Sequence, residues 1–431
     1  MKKRFLFYVP VLALTGILST SAATTVPVTS MTKSCKPLVN TKLVIPKVPM
    51  RGLSERAHKR ISRALEKLAE ENYVESIDLF KQLLESSNEQ YVQASVAKYI
   101  GLAYAQQSKS LEATEYFSKA LDLGKGFLQH KEMQDLTQNV AAMLYGNDLK
   151  AKSLEYLERW LKASNEHSET VYILYAAILF DSGKIRESVC PAYWAAKVAK
   201  KPNKNAFGLM LNAHFEFKDF DGTIALLKQL ILDFPTEKRF WRNLASVYMN
   251  EDKIEDALAV MEMFYVLGYM ETENDYKQLS SIFAYSDIPY RTATILKEGI
   301  DKGVVQDTEK NWKNIASNFH VASELDKAIA AYERSAKKSD SGENDIKQAE
   351  LLSDSSKYKR SVEVFDRALK KGKIKDVGKV HFRKGIAYLE LKQFNRSIAS
   401  FGEALKYKKW KQRASQYLSY AKTQKANAAK L

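Results

Sequence analysis

The sequence predicts an all-α protein made of about ten stacked helical hairpins, and three observations carry that prediction. Glycine and proline are scarce: 17 Gly and 9 Pro are about 6% of the 431 residues, against an average near 12%, which argues against a turn-rich β architecture. A hydrophobic content of 45% with 11% aromatic residues is too high for a disordered chain. Most telling, one unit recurs every 33 to 40 residues. A small residue falls at Ser76, Ala113, Ser153, Ser188, Thr223, Ala257, Thr292, Ala328, Ser361 and Ser397. Four residues after each comes an apolar one: Phe80, Phe117, Leu157, Ala192, Leu227, Met261, Leu296, Tyr332, Phe365 and Phe401.

Two helices approach closely only where their contact positions are small, with larger side chains filling the groove beside them. A hairpin of this kind cannot bury its apolar face alone, so consecutive hairpins stack. The fullest copy reads Tyr99-Ile-Gly101-Leu-Ala-Tyr104, then Ala113, Phe117 and Ala120. Gly385, Tyr388, Ser397, Phe401 and Ala404 repeat it, as do Trp241, Leu244, Ala245, Tyr248, Ala257 and Met261, and again Trp312, Ile315, Ala316, Phe319, Ala328 and Tyr332. The pattern resembles that of the tetratricopeptide repeat (TPR), which implies a right-handed solenoid.

Along the chain, residues 1–23 place Lys2, Lys3 and Arg4 before an apolar run from Phe5 to Leu18 and then small residues up to Ala22 and Ala23. That is the pattern of a cleaved secretory signal peptide; the alternative, a retained anchor helix, is disfavoured because the apolar run is short for a membrane span. Residues 24–52, with Pro27, Pro37, Pro46, Pro49 and Gly52, read as an extended arm. The hairpins occupy 53–405 as one array, and 406–431 read as a basic capping helix and tail, with Trp410, Ala414, Tyr417, Leu418 and Ala421 at helical spacing.

The net charge is +16, and it is concentrated: residues 370–431 hold 17 Lys or Arg against 3 acids. Such a run either solvates a helix face or meets an anionic envelope surface, lipid or cell-wall polymer, or an acidic protein. Export disfavours nucleic acid as the partner. Cys35 and Cys190 are the two cysteines; in an oxidising compartment they either pair, tying the arm to the body, or remain inert thiols.

Chemistry-bearing motifs are absent from the sequence. The six His are scattered over different repeats without metal-ligand spacing, and there is neither a nucleophile elbow nor a phosphate-cradling glycine loop. The sequence therefore points to a binding protein that is not an enzyme, with no cofactor and no metal implied. His214 stands where other repeats have Tyr104, Tyr248 and Tyr388, which assigns it to packing.

Resemblance to TPR adaptors implies that the second, fifth, ninth and twelfth positions of each unit face a concave groove. Those positions hold Arg239, Arg242, Lys277, Lys310 and Lys313 in three consecutive repeats, and Asn205 and Asn212 in the one before. Together they suggest a basic, amide-lined stripe that clamps acidic side chains or a terminal carboxylate of an extended partner. Alternatively, these cations pair with the local acids Glu237, Glu273 and Glu309 and merely solvate the helix faces.

Beyond the generic repeat, the serial order of several segments is similar to that of the secreted TPR proteins associated with TonB/ExbB/ExbD energy-transduction systems of Gram-negative bacteria. The segments are Lys47-Val-Pro-Met50, Phe234-Pro235 with Phe240-Trp241, Leu267-Gly268-Tyr269, Pro289-Tyr290 with Leu296 to Gly299, Gly303, and Lys406-Tyr-Lys-Lys409 with Trp410. The resemblance covers roughly residues 47–422 and implies a periplasmic scaffold accessory to TonB-dependent uptake of iron or other nutrients, with TonB/ExbB/ExbD-type subunits as partners. The competing expectation, raised by the basic C-terminal region, is an envelope-assembly adaptor for cell-wall or outer-membrane machinery.

Overall fold

The computed structural model describes residues 25–429. The signal-peptide segment, 1–23, lies outside the described residues. Among those described there are 21 α-helices and no strand, and the chain divides into two compact units at Thr236/Glu237. The sequence reading expected one continuous array. The first holds five hairpins: α1 (Glu55–Ala69) with α2 (Tyr73–Ser86), α3 (Gln90–Gln106) with α4 (Ser110–Leu123), α5 (His130–Gly146) with α6 (Lys150–Ala163), α7 (Glu169–Asp181) with α8 (Ile185–Val198), and α9 (Lys204–Glu216) with α10 (Phe220–Asp233). The second holds five more: α11 (Lys238–Asn250) with α12 (Ile254–Val266), α13 (Glu273–Tyr285) with α14 (Pro289–Asp301), α15 (Glu309–Val321) with α16 (Leu325–Lys337), α17 (Glu343–Asp354) with α18 (Tyr358–Lys371), and α19 (Val377–Glu390) with α20 (Phe394–Ala404). It closes with α21 (Lys411–Ala428).

One turn joins the two helices of every hairpin. Its central residue is left-handed, with φ between +54° and +61° at Glu71, Ser108, Asp148, Lys218, Asp252, Asp287, Ser323, Ser356 and Lys392, and +76° at Gly183. The next residue donates its N–H to the carbonyl five positions back, as Lys109 does to Tyr104 and Gln393 to Tyr388, at 2.8–3.0 Å throughout. This six-to-one bond satisfies a carbonyl that the ending helix would otherwise leave unpaired and reverses the chain.

All ten small residues at the start of the second helices are buried, and so are all ten apolar residues four positions on. Four of the five serines at this position also bond across the hairpin: Ser76, Ser153, Ser361 and Ser397 donate their hydroxyls to the carbonyls of Ala64, Ala141, Ala349 and Gly385, each 12 residues earlier, at 2.6–2.9 Å, whereas Ser188 donates to Ile185 within its own helix. The partner position tolerates little bulk. A Cβ at Gly101 would come within 2.5 Å of the Phe117 ring, and one at Gly385 within 2.6 Å of Phe401.

The arm runs backwards along the first unit. Thr25 reaches Gln229 of α10, Met31 packs on Val189 of α8 and Ala213 of α9, and further on Asn165 and Gln129 donate to the carbonyls of Leu43 and Val48. Cys35 is disulfide-bonded to Cys190 on α8, 155 residues away. Buried His214 accepts the Thr29 hydroxyl at Nε2 (2.7 Å) and donates from Nδ1 to the Met210 carbonyl (2.7 Å), while Ser30 bonds the neighbouring Asp219.

Two predictions follow from the arm. Because the disulfide closes a loop of more than 150 residues, replacing both cysteines with serine is expected to lower the stability of the first unit by about 2–4 kcal/mol, read by urea denaturation against the oxidised wild type. Burial holds the His214 imidazole below its ordinary pKa, with Arg186 acting in the same direction and the Met210 carbonyl and Asp219 opposing. Above the unfolded-state pKa, near 6.5, both states are neutral; below it the unfolded chain takes up the proton and the folded chain resists it. Stability should therefore fall as pH drops from 7 to 5.5, and His214→Asn should flatten that decline in thermal unfolding curves. An undiminished slope would remove His214 from the account.

Candidate partner-binding site

The five cations singled out on the second unit separate into different roles. Arg242, the fifth residue of α11, does not face a ligand: its Nε and Nη2 donate to the two carboxylate oxygens of Asp275 at 2.5 and 3.1 Å, and its guanidinium lies 5.4 Å from the Phe264 ring centre. Asp275 is fully buried on α13 and also accepts the backbone N–H groups of Glu271 and Thr272. Burial pushes the Asp275 carboxyl up, but the hydrogen bonds from Arg242, Thr272 and Glu271 outweigh it and hold it below the usual carboxylate range. The expectation for Arg242 is thus corrected: it neutralises a buried charge and ties α11 to α13.

Local acids take two more. Arg239 lies 3.6 Å from Glu237 and stacks on Phe240, and Lys277 bonds Glu273 one turn earlier at 2.7 Å. Exposed pairs of this kind are worth a fraction of a kcal/mol, so a partner carboxylate displaces them at small cost. Glu309 behaves differently, since it accepts from Asn344 at 2.7 Å. Lys310 and Lys313 on α15 are left exposed, with no hydrogen bond or ion pair among the described residues. Asn205 and Asn212 are exposed on α9, in the first unit, whereas the cations belong to the second.

The first unit offers a groove feature that the sequence reading passed over. Between α3 and α5 lies a cavity of about 560 Å³ with Tyr99, Leu102, Phe117 and Leu136 as apolar lining. An ion pair between Lys98 and Glu132 spans it, and Lys131 and Asp135 stand on its rim. Leu102, at 40% exposure, is an apolar side chain turned toward water at the ninth position of its repeat. Asp135, Lys98 and Leu102 stand at the second, fifth and ninth positions of their repeats, the first two of these being the positions of the second unit's cations, but their mixed charge and polarity leave no basic stripe in the sequence.

Among the described residues no cluster of three or more His, Cys, Asp or Glu is placed to hold a metal ion, and no helix is long and apolar enough to cross a membrane. The division of roles among the cations is testable. Arg242→Ala, which strands a buried carboxylate, should cost about 3 kcal/mol or more in denaturant unfolding. Lys313→Ala should leave stability unchanged within about 0.5 kcal/mol. Equal, small losses would return Arg242 to the solvent-facing set.

Residues 346–415, from α17 into α21, match the tetratricopeptide repeat family. No curated protein matches the sequence. Among solved structures, a tetratricopeptide repeat protein from Parabacteroides merdae is similar at 15% identity and a TM-score of 0.36, over 62% of this chain and all of that one. The APC/C hetero-tetramer Cut9–Hcn1 shares 14% identity at a TM-score of 0.26, over 86% of this chain and 78% of its own. The TPR domain of P58(IPK) shares 12% at 0.25, over 87% of this chain and all of that domain. The matched segment, residues 346–415, thus carries the tetratricopeptide-repeat signature, and the ten hairpins share one all-α helix–turn–helix form.

Proposed function

We propose that this protein is a periplasmic scaffold that holds an extended segment of a partner protein in its repeat groove, accessory to TonB-dependent energy transduction and the uptake of iron or other nutrients. The observation that carries the binding reading is the pair Lys310 and Lys313, exposed at groove positions and without the internal partners their neighbours have. Such cations have no internal ion pair to give up, and they form charge-assisted hydrogen bonds with a partner's carboxylates. The apolar cavity at Leu102 gives the first unit a place for a hydrophobic side chain of an extended segment. The export pattern of residues 1–23 and the Cys35–Cys190 disulfide support an oxidising compartment. The TonB link rests on the serial segments described above.

A second reading, the envelope-assembly adaptor, is favoured by one feature. Lys392, Arg396 and Lys425 surround an open notch of about 580 Å³ between the start of α20 and the end of α21, within the basic C-terminal region. A notch with three cations suits an anionic polymer or headgroup.

In-cell photocrosslinking separates the two readings, with a crosslinking residue replacing Lys313 in one strain and Lys408 in another. Capture of TonB, ExbB or ExbD-type subunits from Lys313 is the expected outcome. Capture from Lys408 alone, of cell-wall or outer-membrane components, would overturn the groove reading and leave the adaptor. In the same strains, deletion of the protein should slow growth when iron is chelated, and unchanged growth would break the TonB link.

A further inference from the structure

The arm does more than lie on the first unit, because it roofs a cavity. Asn165 holds the arm at Leu43, and Gln129 holds it at Val48, each through a 3.1 Å bond to the arm's carbonyl. Arg51, 4.6 Å from the Phe127 ring centre, fastens it again just beyond. Between these ties, Ile45, Pro46 and Val48 form one wall of a cavity of about 330 Å³ whose opposite wall comes from α5 and α6 and the loop before them, with Leu128 and Met133 facing in.

Charge is distributed unevenly around this space. Arg159 on α6 is the one lining residue with a permanent charge, and it has no hydrogen bond or ion pair among the described residues. The buried Gln134 amide is held only by long bonds, 3.3 Å to His130 Nε2 and 3.4 Å to the Trp160 carbonyl, so it can turn to a better partner at little cost. Apolar walls with a few convergent polar groups are the ordinary make-up of a small-molecule site. A guanidinium without a counter-charge at such a site selects an anion, and its planar fork matches a carboxylate.

We infer that this cavity binds a small monocarboxylate with an apolar body, the body lying between the arm and α5 and the carboxylate on Arg159. A carboxylate on an apolar group is also what the C-terminal residue of a polypeptide presents. The free acid is the better fit, because the arm is tied on both sides of the cavity and a chain would have to lift it, whereas a small molecule enters at the Arg159 rim.

The test is isothermal titration of the disulfide-intact protein with decanoate and with 4-phenylbutyrate. Saturable one-to-one binding of either is expected, weakened about ten- to a hundredfold in Arg159→Gln. Val48→Trp, which fills the cavity from its roof without touching the hairpin core, should abolish binding while circular dichroism keeps its helical signal. No saturable binding of either acid overturns the inference, and so does undiminished affinity in Arg159→Gln or Val48→Trp. Binding of a leucine-terminated hexapeptide acid in place of both small acids would overturn the assignment to a small molecule.

Discussion

Everything else in this chain depends on how near the two helices of a hairpin come to each other. That separation is set where the second helix begins, at ten positions that hold Ala, Ser or Thr and are all buried. A larger side chain there would push the helices apart and strand the apolar residue one turn later, which fills the groove beside the contact. In four hairpins the small residue is a serine whose hydroxyl donates to the facing helix's carbonyl, so closeness is enforced by a directional bond as well as by volume. The left-handed turn completes the unit. It costs about 1 kcal/mol or more wherever a residue other than glycine occupies it. That cost recurs in nine of the ten hairpins and is offset each time by the carbonyl the turn satisfies.

This arrangement explains which parts of the molecule were legible in the sequence. Local contacts at fixed spacing leave a periodic trace, so the hairpins, their number and the closing helix could be read from small and apolar residues alone. The positions facing the groove leave no such trace, because packing does not constrain them and charge type says nothing about pairing. Arg242 and Lys313 occupy the same repeat position, yet one is spent on buried Asp275 and the other is free in solvent. The difference lies in the third residue of the following repeat, Asp275 in one case and, in the other, Asn344, which donates to Glu309. A reading that counts cations by position cannot see it. The disulfide was an open alternative for a related reason: pairing across 155 residues depends on the path of the arm, which carries no period.

Buried charge is the second recurring device of the second unit. Asp345, fully buried near the start of α17, accepts from Arg367 at 2.5 Å and from Lys371 at 2.8 Å, both on α18. Asp275 and Asp345 thus each pair a buried carboxylate with cations of another helix. A carboxylate in that place is stable only when its partners arrive with it, since an unpaired buried charge costs several kcal/mol. The consequence for function is that positive residues near these repeats are partly consumed by the fold, and the remaining cations are those to which a partner has access.

Stacked hairpins are held by contacts between neighbours, so their stability is close to a sum of local terms and each end can fray without the rest. The arm breaks that locality in the first unit. It touches α10, α9 and α8 near its start, crosses the α6–α7 loop at Asn165, and meets Gln129 just before α5. Opening a hairpin along that path therefore requires releasing the arm as well, and the covalent bond at Cys190 prevents the arm from leaving altogether. A segment that spans several repeats also couples whatever binds beneath it to all of them: a ligand wedged between Val48 and α5 stabilises the same strap that His214 holds at the other end. The sequence would have needed only the hairpins to make a solenoid. Adding an arm ties the last three hairpins of the first unit to a single strap.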